Sequence, residues 1–273
     1  MPEHVILSYG INPSLWIKSL LFTLICIMCI IGVGYFLPKK KHKIIFTKFV
    51  GFLLFFRFAF LHGYMLGMGH WSIIDSLPFH LCGISSIACI FIMICMSINK
   101  EIKYNQSIFE YLVLLGIPSG LHSILTPEFI HGWDGFYFYE FYISHGAILL
   151  VPLYLTIVFG YTIRPDSWKT AFINGLLLAF AVGLINVSIG YFYGKLPNYM
   201  YICEAPIADN PLLLTSQWPY YFPMIVCFMF IHIYTCSHTN ICYAYISFFC
   251  KHYYTTGFIF YRHRLSSLSV VCH

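Results

Sequence analysis
The chain has 273 residues, of which only 9% are charged while 59% are hydrophobic and 20% aromatic. Soluble domains carry roughly 25% charged residues, so water-soluble enzymes and disordered chains are excluded. The net charge of +5, from 15 basic against 10 acidic residues, matters through its placement along the chain and points to no nucleic-acid partner.

Runs of about 20 apolar residues, the length that crosses a bilayer, predict seven spans. Span one covers 15–37, ends at Pro38-Lys39-Lys40-Lys41 and holds the pair Cys26-Ile27-Met28-Cys29, which reads as packing because no second pair accompanies it. It is too long for the apolar part of a cleavable signal peptide. Span two (44–66) carries Arg57 near mid-depth and His62 near its end. Asp75-Ser76 precedes span three (78–98), which opens with Pro78, His80 and Cys82; Pro78 suits a first helical position with Ser76 or Leu77 as the cap. Span four (108–125) has His122 in its last turn, and span five (140–161) has Glu140 at its rim with His145 a turn deeper. Span six (170–192) contains Asn174 and Asn186, and Asn198, Tyr199 and Glu204 follow it; span seven (219–243) carries His232. Period-two alternation, internal repeats and low-complexity linkers are lacking. The fold class is therefore all-α, a polytopic membrane helical bundle of about seven spans: one membrane domain over 1–243, then an aromatic, basic tail over 244–273 that is expected to be cytosolic, as an interfacial helix or a frayed tail.

The charges orient it. Lys39, Lys40, Lys41, Lys43 and Lys48 lie between spans one and two, Lys100 and Lys103 between three and four, Arg164 and Lys169 between five and six, and Lys251, Arg262 and Arg264 after seven. The loops of the other side hold Lys195 alone. The positive-inside rule then predicts an outside or lumenal N-terminus and a cytosolic C-terminus. The 11 cysteines sit mostly in apolar runs without a disulfide framework's spacing.

Polar groups inside a span are costly, so their positions report function. With this orientation Arg57, His62, His80, Cys82, Glu140, His145 and Asn186 gather in or near the outer third, with Asn198 and Tyr199 just above. A shared polar cavity open to the outside explains the clustering; simple pairing of Arg57 with Glu140 is the structural alternative. Cys82, near the positive end of a helix, favours the nucleophilic thiolate. His80 and Cys82 point about 200° apart on a regular helix, so the base for Cys82 must come from another helix, and His145 has the matching depth.

Leu77-Pro78-Phe79-His80-Leu81-Cys82, Leu125-Thr126-Pro127-Glu128, Phe141–Gly146, Pro197-Asn198-Tyr199-Met200-Tyr201 and Trp218-Pro219-Tyr220-Tyr221 occur in this order. Together they resemble the transmembrane protein 164 family and its bacterial YwaF-type relatives, over about residues 45–235. The resemblance implies a multi-pass acyltransferase of phospholipid metabolism, with Cys82 matching the family's reactive cysteine and His145 the histidine of the fifth-span motif. It also implies a fold similar to androgen-induced-gene-type lipid hydrolases. Many bacterial relatives carry Gln in place of His122, which lowers the weight of that residue.

The leading expectation is acyl transfer through a Cys82 thioester to a lysophospholipid, with His145 as base and then acid and no cofactor or metal. Arg57 is placed to hold a phosphate, and His62, His80, Glu140, Asn186, Asn198 and Tyr199 to bind or orient the lipid. The partners are then membrane phospholipid and lysophospholipid, in an internal membrane such as the endoplasmic reticulum if the source is eukaryotic and in the plasma membrane if bacterial. Two alternatives stand beside it: a zinc-dependent lipid hydrolase using three of His62, His80, His122 and His145, and a transporter or small-ligand receptor using the same cavity.

Overall fold
Seven helices form among the described residues of the computed structural model, which are 5, 6, 8, 11–96, 104–129, 135–206 and 213–238. They are α1 (Pro13–Phe36), α2 (Lys40–Gly67), α3 (Leu81–Ile94), α4 (Asn105–Leu125), α5 (Phe136–Phe159), α6 (Ser167–Tyr193) and α7 (Tyr221–His238). Two-residue strands β1 (Val5–Ile6) and β2 (Glu128–Phe129) pair antiparallel, with Val5 opposite Phe129 and Ile6 opposite Glu128. The all-α bundle expected from hydropathy is present, and five helices, α1, α2, α4, α5 and α6, are long and apolar enough to cross a bilayer.

The helix of the third span departs from expectation. Span three was expected over 78–98, but α3 is 14 residues long and starts at Leu81. At 1.5 Å per residue that is about 21 Å, short of a hydrocarbon core of about 30 Å. The preceding residues form a turn of their own instead: the Ser76 hydroxyl accepts the Ser72 amide at 2.9 Å, and the Ser72 hydroxyl accepts the Ile74 amide at 3.1 Å. The serine proposed as a helix cap is thus consumed in a local turn, the competition typical of short hydroxyl side chains. Residues 97–103, the last part of the expected seventh span (239–243), and the tail over 244–273 lie outside the described residues.

Alternating hydrogen bonds fix which helix ends lie together. The Trp16 indole donates to the Leu125 carbonyl at 2.9 Å, His70 Nδ1 meets the Tyr137 hydroxyl at 2.8 Å, and the Tyr199 hydroxyl donates to the Ile73 carbonyl at 2.8 Å. The start of α1, the end of α2, the end of α4, the start of α5 and the segment after α6 therefore share one face, called the near face below. At the far face, Arg164 between α5 and α6 grips Glu110 near the start of α4.

Helix α5 is the central rod, in contact with α1, α2, α3 and α4. Its residues 146–152 are all buried, whereas α1 buries only the stripe Thr23, Ile27, Ile31 and Gly34 and leaves Phe22, Ile25 and Phe36 outward. A helix apolar all round with one packed stripe is what a lipid-facing rod requires. Gly34 lets α1 approach the Tyr154 ring, which a Cβ there would strike, and the Tyr154 hydroxyl bonds Thr47 of α2 at 3.0 Å. In α4, Pro118 lacks the amide that would continue the ladder, and the five residues Leu112–Gly116 just before it adopt a wide π turn. A separate apolar cluster, Ile74, Val182, Ile189 and Tyr199, packs the near-face loops onto α6.

Candidate active site
A cavity of about 330 Å³ opens between α2, α3 and α5 near the near face. Arg57 and His62 from α2, Cys82 and Ser86 from α3, and Glu140 and His145 from α5 line it, with Phe58, Phe141 and Ile148 supplying apolar wall. Asp75, Glu128, His70 and Tyr137 line it as well. The three helices converge here on polar groups that none could expose to hydrocarbon at low cost.

Cys82 occupies the second position of α3, because His80 is the residue before the first helical turn. This corrects the expectation that Pro78 opens the helix, and it moves Cys82 into the first turn, where backbone amides lack intrahelical partners. Gly83 makes this register possible: a Cβ there would stand 2.9–3.0 Å from three backbone atoms of Pro78. The turn over 72–80 therefore folds directly onto the first turn of the helix.

His145 is held as one tautomer. Its Nδ1 lies 2.8 Å from the Phe141 carbonyl and 3.2 Å from the Ser144 hydroxyl, and its ring packs on Phe141 with centroids 4.2 Å apart. The carbonyl accepts only, so Nδ1 carries the proton and Nε2 keeps a lone pair, the form of imidazole that acts as a base. Among the described residues no hydrogen bond joins Cys82 to His145; they share the cavity as wall residues, and such contacts commonly tighten once substrate is bound.

Arg57 and Glu140 form an ion pair, with side chains 12% and 11% exposed. A second guanidinium nitrogen of Arg57 donates to the Ser86 hydroxyl at 2.7 Å, while its Nε is buried with no hydrogen-bond partner among the described residues. The structural alternative of simple pairing is thus realised in part, and the pair lies against open space. His62 Nδ1 accepts from the Trp71 indole at 3.3 Å, which leaves its other ring nitrogen for the cavity.

The remaining expected residues have other surroundings. Asn186 is fully buried and donates to the Tyr199 carbonyl at 3.0 Å. Asn198 spans the loop after it, accepting the Cys203 and Glu204 amides at 3.1 and 3.0 Å. The Tyr199 hydroxyl accepts the Leu77 amide at 3.0 Å. None of these three lines the cavity; they fasten the near-face loop. The His80 ring rests against Tyr199 and Tyr201, at 5.5 and 5.0 Å. His122 is exposed on α4. Among the described residues no three His, Cys, Asp or Glu side chains come together as a metal-holding group, so the histidines required by the zinc alternative do not converge there.

Sequence reading missed Ser86 and Ser144, which bond Arg57 and meet His145. Serine is common in membrane helices and gives no signal alone, although Ser86 lies one helical turn from Cys82 and so on its face. Among the described residues, Cys26, Cys29, Cys82, Cys89, Cys95, Cys203, Cys227 and Cys236 form no disulfide.

No curated protein sequence and no solved structure matches the chain. The TMEM164 family model matches residues 9–236. That match runs from before the first helix into the last one, and the resemblance first carried by five short motifs extends over the whole bundle: the chain belongs to the TMEM164 family.

Proposed function
We propose that the protein is a membrane-embedded acyltransferase of phospholipid remodelling. The observation that carries this reading is the presence of Cys82 and His145, from separate helices, on the wall of one cavity. Cys82 lies in the first turn of its helix, and His145 keeps a lone pair on Nε2. In the forward step Nε2 takes the thiol proton, the sulfur bonds the carbonyl carbon of a phospholipid ester, and the ester C–O bond breaks. The departing lysophospholipid oxygen takes that proton from His145 and leaves as the hydroxyl. In the return step a second lysophospholipid hydroxyl attacks the thioester and restores the thiol.

Arg57 holds the lipid phosphate through its planar fork while Glu140 fixes the fork's orientation. With the charge pattern of the loops, the cavity opens on the exoplasmic or lumenal side, and the helices belong to an internal membrane in a eukaryotic cell or the plasma membrane in a bacterium. Purified full-length protein, incubated with phospholipid bearing a radiolabelled acyl chain, is expected to acquire hydroxylamine-labile label on Cys82. Cys82→Ala is expected to lose both the label and acyl exchange while expressing normally. Exchange retained in that variant would remove Cys82 as the nucleophile.

A further inference from the structure
A hydroxyl on a membrane helix commonly spends its proton on a carbonyl of its own helix. Thr23, Thr47, Ser123, Thr156 and Ser188 do so here, each donating to the carbonyl four residues back at 2.7–3.0 Å. Ser86 does not. Its oxygen accepts a guanidinium N–H of Arg57 at 2.7 Å, and among the described residues no acceptor takes its own proton. The residue four positions back is Cys82, and both stand on the wall of the same cavity.

Helical positions four apart share a face, with their Cβ atoms about 5–6 Å from each other. Each Cα–Cβ bond tilts toward the helix N-terminus, so Ser86 leans toward the turn that carries Cys82. A carbonyl carbon bonded to the Cys82 sulfur and lying along this face brings its oxygen to about 2.8 Å from the Ser86 hydroxyl, a normal hydrogen bond. Arg57 prepares that donor. A hydroxyl that accepts from a cation is polarised and donates more strongly, and its proton is turned away from the guanidinium.

We propose that the Ser86 hydroxyl donates to the carbonyl oxygen of the acyl group as Cys82 attacks it, with Arg57 as the positioning residue behind it. This rests on the acyl-transfer reading above. As the sulfur–carbon bond forms, the thiol proton passes to His145 and the carbonyl electron pair moves to oxygen, where it accepts the Ser86 O–H. When the pair returns, the ester C–O bond breaks and the departing oxygen takes the proton held by His145. Ser86 keeps its own proton throughout.

The test uses the full chain in phospholipid nanodiscs with para-nitrophenyl decanoate as the acyl probe and iodoacetamide as the control. Alkylation by iodoacetamide displaces iodide at a saturated carbon and creates no oxyanion. Ser86→Ala is expected to slow nitrophenolate release about 100-fold with KM little changed. Ser86→Thr, which keeps the hydroxyl, is expected to restore most of the rate, and Cys82 in both variants to alkylate as fast as in the wild type. Equal release from Ser86→Ala and the wild type would overturn the proposal. So would a parallel loss of alkylation, which would assign Ser86 to support of the bundle, or a Ser86→Thr variant as slow as Ser86→Ala. A wild-type Cys82 that alkylates but never acylates would overturn the acyl-transfer reading itself, a result visible before any variant is made.

Discussion
Arg164 at the far face and Arg57 near the near face each meet a glutamate, but the two pairs are finished to different degrees. Glu110 has each oxygen engaged: Arg164 Nε and its backbone amide reach one at 2.8 and 2.9 Å, Gln106 adds a third donor there at 2.9 Å, and the terminal nitrogen takes the other at 2.6 Å. Arg164 keeps 61% of its side chain exposed, so only the carboxylate pays desolvation. Arg57 and Glu140 are both nearly buried, one Arg57 nitrogen has no partner among the described residues, and the pair borders a cavity. A closed carboxylate cage fastens a loop. An unfinished pair beside open space costs stability as it stands and keeps binding capacity for something that enters.

The sharpest way to break this comparison is Glu140→Ala. Removing one partner leaves the Arg57 charge uncompensated and is expected to cost about 3–5 kcal/mol, read as a lower midpoint in thermal unfolding of the detergent-solubilised protein. Replacing both partners, Arg57→Met with Glu140→Leu, should recover most of that stability and still fail to bind lysophospholipid. Recovery of both properties would mean that the pair serves packing alone. At the far face, Arg164→Ala is expected to cost about 1.5–3 kcal/mol, because hydrogen bonds to a charged group are lost, with acyl exchange per folded molecule unchanged. A loss of exchange in that variant would tie the two ends together and erase the distinction. Smallest is Asn198→Ala, which removes neutral bonds in the near-face loop; a cost of about 1 kcal/mol is expected in the same melt.

Much of the fold was legible because a bilayer punishes exposed backbone and charge, and long apolar runs have few alternatives. The start of α3 was not: Pro78 resembles a helix opener in one dimension, whereas in three Ser72 and Ser76 close a turn just before it and the helix starts at Leu81. The cavity residues Arg57, Cys82, Glu140 and His145 could be found by their cost. Asn186, Asn198 and Tyr199 carry the same polar signal, yet they spend it on loop carbonyls and amides, a distinction that needs coordinates.

The wide turn at Leu112–Gly116 also bears on how this lineage can vary. Such a turn stores a spare residue, and Gly120, 3.2 Å from the His145 carbonyl by its ideal Cβ position, lies just beyond it. Dropping a single codon inside the turn would shrink it to regular α-geometry and keep Gly120 facing α5. The same deletion after Pro118 would rotate the remainder by about 100° and drive a larger side chain into the neighbouring rod. Length polymorphism in relatives is therefore expected to concentrate at that turn, where the helix has slack to give.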